Sequence, residues 1–161
     1  MSYIEYCNQS DAYKIEQIEF SEKLIQTLHA RNLPIPTSCV PYRTTMIDPI
    51  ETPHRIAAPE DLSHLMNHYI SQVTISGYSL HPIEVAAMAY KRFLDIYPFE
   101  HHNEETAVSI AGFLLQKAGY YFNGFPASLK DAYMKSIQQA QSTGMPDALI
   151  TIFAKSVELP H

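Results

Sequence analysis

The sequence predicts an all-α (mainly α) fold, a bundle of about six helices around one central helix with a short β-hairpin flap at its side. Three observations predict it. Apolar residues recur at helical spacing through most of the chain. Prolines fall at the edges of those stretches, where they start or stop helices. The one alternating, β-branched run, YRTTMI, is short and flanked by prolines, which suits an exposed hairpin better than a core sheet. A chain of 161 residues is long enough to bury a core by itself and suits one domain over 1–161.

Taken in order, residues 1–9 read as an N-terminal arm. From Ser10 to about Ala30 the positions of Tyr13, Ile15, Ile18, Phe20, Leu24, Ile25 and Leu28 follow a helical stripe, with Ser10 as its N-cap. Three prolines in NLPIPTSCVP stop it. Residues 41–57 are the expected flap. Pro59 then opens a helix with Glu60 and Asp61 in its first turn and Leu62, Leu65, Met66, Tyr69, Ile70 and Val73 along one face. Pro82 opens the next, PIEVAAMAYKRFLDIY, whose alanines permit close helix approach. The stretch from Ala107 to Leu115 is apolar on nearly every side apart from Ser109, which marks the central helix, and Gly119 is its expected stop. Ser128 is the expected cap of LKDAYMKSIQQAQSTG, which Gly144 ends, and Pro146 opens the last helix.

Composition narrows the function. A net charge of -6 argues against a generic nucleic-acid groove, which needs clustered Lys and Arg. Cys7 and Cys39 lie far apart, outside any metal-binding spacing, and fit reduced cytosolic thiols better than a disulfide framework. No signal peptide and no apolar run of about eighteen residues is present, so the expectation is a cytoplasmic chain with no membrane span.

The chemistry is expected in residues 94–118, LDIYPFEHHNEETAVSIAGFLL and the residues after it: a helix end, a polar loop and the start of the central helix. Asn103 reads as an N-cap, with Glu104 and Glu105 in the first turn, each favourable to the helix dipole by about 0.3–1 kcal/mol. A phosphate cradle at such a place wants glycines, free N–H groups and a cation. Here the charges are negative. His64 and His68, i and i+4 on one helix, could join His101 and His102 as metal ligands, although no strong ligand motif is present and no metal is expected. Asp95 could orient Tyr97. Tyr120, Tyr121, Phe122 and Phe125 form an aromatic group that suits core packing more than a partner patch.

The order LHARNLPIP…VPYRTTMI, APEDLSHLMNHYISQ, HPIEVAAMAYKRFLDIYPF, AGFLLQKAGY and LKDAYMKSIQQAQSTGMPDALITIF resembles the Fic/Doc (Fido) family over most of the chain. That resemblance implies a loop of the form H-P-F-x-(D/E)-G-N-G-R, in which His deprotonates a target hydroxyl, the acid holds Mg²⁺, and Gly, Asn and Arg surround the phosphates of ATP, so that AMP passes to a Ser, Thr or Tyr. Pro98, Phe99 and Asn103 match this pattern. Tyr97 stands at the catalytic His, His101 at the acid, His102 and Glu104 at the two glycines, and Glu105 at the Arg. A tyrosine is a poor base near pH 7, and loss of an acid–base group costs about 10²–10⁴-fold in rate. The family's inhibitory motif S/T-x-x-x-E-(G/N) is absent as well.

The expectation is therefore a pseudoenzyme that takes up neither ATP nor Mg²⁺ as cofactor. It keeps the flap, Arg43, Thr44, Thr45, Met46 and Ile47, for a protein partner joined by strand addition. The alternative is a nucleotidyl- or phosphate-group transferase, or a metal-assisted enzyme, using Tyr97 as nucleophile with His101, His102, Glu104 and Glu105 around it. A third reading is a regulatory subunit paired with an intact family member. The resemblance also allows delivery into a host cell as an effector.

Overall fold

Ser21 starts the first α-helix. Its hydroxyl accepts a hydrogen bond from the Leu24 N–H at 3.2 Å, and helix α1 runs Glu22–Arg31. The single helix expected from Ser10 is thus broken: a 3-10 turn at Ile15–Gln17 precedes α1, and Ser10 itself lies outside the described residues. Glu19 to Ser21 carry the break, because a serine followed by a Glu in the first turn caps a new helix more readily than it sits inside an old one. The computed structural model describes residues 15–34, 40–47 and 56–158.

A 3-10 turn at Pro59–Asp61 leads into α2, Leu62–Ser76, and Pro82 opens α3, Pro82–Ile96, as the prolines predict. His81 caps α3 in a reciprocal pair: its Nδ1 accepts from the Ile83 N–H, and the Glu84 carboxylate accepts from the His81 N–H. Helix α4 spans Asn103–Lys117, α5 Lys130–Thr143 and α6 Asp147–Glu158. Ser128 does not cap α5. It lies inside a 3-10 turn, Ala127–Leu129, that absorbs the entry, and Leu129 takes the cap position without a side-chain bond. At the end of α4, Gly119 takes φ 94°, which lets the Gly119 N–H reach Gln116 O and the Tyr120 N–H reach Leu115 O.

Helices α3 and α4 form the centre and share the most extensive helix contact in the molecule. Helix α4 is buried on most sides, at Ala107, Ile110, Ala111, Phe113 and Leu115. Helix α3 touches more neighbours: α2, α5 and α6 all pack on it, and Ala86, Ala87 and Ala89 allow the approach. Helix α1 lies on α4. The flap region departs from a hairpin in its described part. Residues 40–47 and 56–58 run as irregular chain, no β-strand forms among the described residues, and the expected apex falls outside them.

Candidate functional site

Helix α3 ends at Tyr97 in the left-handed region, φ 52°, and α4 begins after His102, φ 62°, in the same region. Two non-glycine residues in that conformation, five apart, fold the chain between them into a tight loop, at a cost that the surrounding contacts must offset. Asn103 supplies one such contact, though not as the expected N-cap. It is the first residue of α4, 1 % exposed, and its amide turns back on Phe99. Its Oδ1 accepts from the Phe99 N–H at 3.0 Å and its Nδ2 donates to Phe99 O at 2.8 Å. The cap position belongs to His102, whose side chain bonds no backbone N–H. A sequence reading sees Asn before Glu-Glu and infers a cap. The fold instead uses both halves of the amide to staple the loop.

Arg43 supplies the second contact. It was expected on the exposed flap, but its side chain is buried, 2 % exposed, under the loop. Its Nε donates to Tyr97 O at 2.7 Å, its NH1 to Thr45 O at 2.9 Å and its NH2 to Ala57 O and Ile96 O. Its own N–H donates to Pro98 O at 2.9 Å. One guanidinium thus ties both ends of the flap region to the end of α3. Beyond it Thr44, Thr45 and Met46 are exposed, Met46 by 61 %, and Ile47 is half-buried.

His29, which the sequence reading did not single out, supplies the third. It continues the apolar stripe of α1 at Ile25 and Leu28, and that placement is the signal that could have found it. Its ring stacks on Phe99 with centroids 3.7 Å apart and planes 3° from parallel. Its Nδ1 lies 2.9 Å from Thr106 Oγ1, and Thr106 Oγ1 donates to His102 O at 2.7 Å. A hydroxyl has one proton, and here it goes to His102 O. His29 Nδ1 therefore carries the proton in the bond to Thr106. Burial, with the nearby His102 adding to it and Glu105 opposing it, lowers the His29 imidazole from 6.5 to about 4, so it is neutral at pH 7.

Glu104 and Glu105 extend from the first turn of α4 into solvent, and Glu105 lies 3.7 Å from His102 Nδ1. A cavity of about 300 Å³ opens beside them, walled by Val108, Phe125, Lys130 and Tyr133. The Tyr133 hydroxyl is hydrogen-bonded to that of Tyr90, and burial pushes the pKa of both phenols up. His101 is exposed at the loop tip. His64 and His68 are exposed on α2, and among the described residues no three His, Cys, Asp or Glu side chains are gathered. Asp95 pairs with Lys91 at 2.7 Å, one turn back on α3. The aromatic group divides: Phe122 lies in the core cluster, Tyr120 and Phe125 pack half-buried against it, and Tyr121 is exposed.

The model of the Fic/DOC family matches residues 19–115. Among curated relatives, Protein adenylyltransferase Fic of Nematostella vectensis is 31% identical over 120 residues, which cover 73% of this chain and 27% of that protein. Its namesake from Aedes aegypti is 38% identical over 68 residues, covering 42% of this chain and 14% of that one. The chain thus spans about a quarter or less of the curated relatives it matches. Among solved structures, Fic-1 from C. elegans superimposes with a TM-score of 0.78 at 23% identity, over 98% of this chain and 46% of that one. No described helix is long and apolar enough to cross a membrane.

Proposed function

This chain belongs to the Fic/DOC family, and we propose that it has given up AMP transfer and works by holding a protein partner on its flap. The observation that carries the reading is a frame kept around a mouth with reversed charge. Asn103, Arg43 and His29 hold the loop in place, while Glu104 and Glu105 stand exposed beside the cavity at the N-terminus of α4. A carboxylate about 4 Å from a phosphate charge costs on the order of 4 kcal/mol at an effective dielectric of 20, and two of them exceed the dipole's contribution of up to about 2 kcal/mol.

The donor set is also a poor match to Mg-ATP. His101 offers an imidazole at the loop tip, where Mg²⁺ prefers oxygen. Tyr97 has its carbonyl bound to Arg43 and carries a phenol where the family's loop has its base. The flap reading rests on Thr44, Thr45 and Met46, which stay exposed on a stem that Arg43 fixes. A transferase reading is favoured by one feature, Lys130 in the cavity wall, a cation for a phosphate.

Isothermal titration with Mg-ATP separates the two. The expected result is no heat of binding below millimolar nucleotide, and a micromolar affinity overturns the proposal. The double variant Glu104→Gly/Glu105→Arg is expected to gain affinity by at least about tenfold, as removal of one such repulsion implies. Intact-mass measurement after incubation with nucleotides should show no added AMP.

A further inference from the structure

His81 makes a bond on each of two edges of one ring, at the end of α3 opposite the loop. Its Nδ1 accepts from the Ile83 N–H at 3.2 Å. A backbone N–H only donates, so Nδ1 carries no proton and the neutral ring has its N–H at Nε2. That N–H donates to the Tyr120 hydroxyl, 3.3 Å away, with the two ring centroids 6.0 Å apart. Tyr120 follows Gly119 at the stop of α4, where its own N–H reaches Leu115 O. One imidazole thus caps the start of α3 and ties it to the end of α4, the two helices at the centre of the molecule.

Ser, Thr, Asp and Asn are the usual caps, and near neutral pH they keep their acceptor oxygen. Imidazole is the side chain whose charge ordinarily changes between about pH 5 and pH 8. Protonation of His81 would place an N–H at Nδ1 against the N–H of Ile83, donor facing donor. It would also set a cation at the positive end of the α3 dipole. Both effects turn the ring away, and Nε2 leaves Tyr120 with it. We infer that His81 is a pH-sensitive clasp between α3 and α4, closed while its ring is neutral and opened by protonation. The ring is exposed, so protons reach it without unfolding. Glu84, on the same helix, accepts from the His81 backbone N–H at 3.2 Å, and its carboxylate attracts the protonated ring, which favours opening. From the end of α4, Tyr120 meets His81 through its hydroxyl, and the ammonium of Lys117 donates to Ile18 O at 2.7 Å. Tyr78, in the turn from α2, is 88 % exposed.

The test is NMR on the full chain, labelled with nitrogen-15, from about pH 8 to about pH 5. At the upper end the His81 ring nitrogens should report the tautomer with its proton on Nε2. As the ring takes up a proton, amide protection at Ile83 and Val85 should fall about fivefold, the worth of one helix cap, along the ring's own titration curve. Protection at the Tyr120 amide should fall with it. His81→Asn, a cap that does not titrate, should lack the fall at Ile83. It keeps His29, so any loss carried by the whole fold remains in that variant and cancels in the comparison. Tyr120→Phe leaves the cap and removes the tie, so it should retain the pH response at Ile83 while protection at residue 120 is already low at pH 8. A proton on Nδ1 of the neutral ring, a flat Ile83 profile while His81 titrates, or the same pH response in His81→Asn overturns the clasp. So does a residue-120 amide that ignores both the His81 titration and the loss of the phenol.

Discussion

Arg43 donates to four backbone carbonyls and has almost no contact with water, so its replacement removes all four bonds at once. Arg43→Met keeps the stem and removes the donors. Hydrogen bonds to a charged group are worth about 1.5–3 kcal/mol each, partly shared, and breaking a buried charged network costs about 3–5 kcal/mol. A drop of about 3 kcal/mol is therefore expected, read as a lower urea midpoint at unchanged slope. His29 makes a second, pH-dependent contribution. Its folded value near 4 lies below the ordinary 6.5, so the neutral ring stabilises the fold fully above pH 6.5. Below that the unfolded chain takes up the proton and the folded one does not, and stability falls until about pH 4 is reached. Between pH 7 and pH 5 the loss attributable to His29 is about 2 kcal/mol. Urea titrations of the wild-type chain and of His29→Gln at the two pH values should differ by that much, and parallel pH slopes would refute it. Neither role was legible from sequence. The acceptors of Arg43 at Tyr97 and Ile96 come from another helix end, and one histidine in an apolar stripe carries no motif.

At the scale of elements, the loop between α3 and α4 behaves as one stapled unit. Its two left-handed residues, Tyr97 and His102, are held by bonds at Arg43, Asn103 and Thr106. Asn103→Ala removes both bonds to Phe99, and Asn103→Asp removes only the donor to Phe99 O. Amide exchange at Phe99 is expected to quicken by at least about tenfold in the alanine variant, one hydrogen bond's worth, and by less in aspartate. Equal exchange in the two would mean that the staple is not the constraint. Helix starts were legible wherever proline set them, at Pro59 and Pro82, because a fixed φ and a missing N–H act locally. Ser128 departs from the expectation, because a serine caps only if the chain arrives extended, and here a 3-10 turn absorbs the entry. The flap was legible as a connection and not as a hairpin, since strand pairing depends on a partner that the described residues do not include.

At the scale of the whole molecule, the part that carries the loop is not the part that completes the core. The family match ends at residue 115, yet Tyr90 on α3 packs edge-on against Phe125 at 5.7 Å and Phe153 at 5.5 Å, and Phe122 lies 5.5 Å from Phe153. Those aromatics come from the chain after α4 and from α6, and each large ring accounts for about 3–5 kcal/mol when truncated in a core. Removing all three costs about 9–15 kcal/mol, comparable to the 5–15 kcal/mol that a whole domain commonly has in hand. A chain cut after Gly119 should therefore lose the loop along with the fold, although every loop residue is still present. The full chain is expected to melt in one cooperative transition by far-UV circular dichroism, and the shortened chain to melt without one. Phe153→Ala should fall between, lowering stability by about 3–5 kcal/mol while keeping a single transition. A cooperative melt of the shortened chain, with the Phe99 amide still protected from exchange, would mean that α1 to α4 fold alone and that the aromatic closure is dispensable.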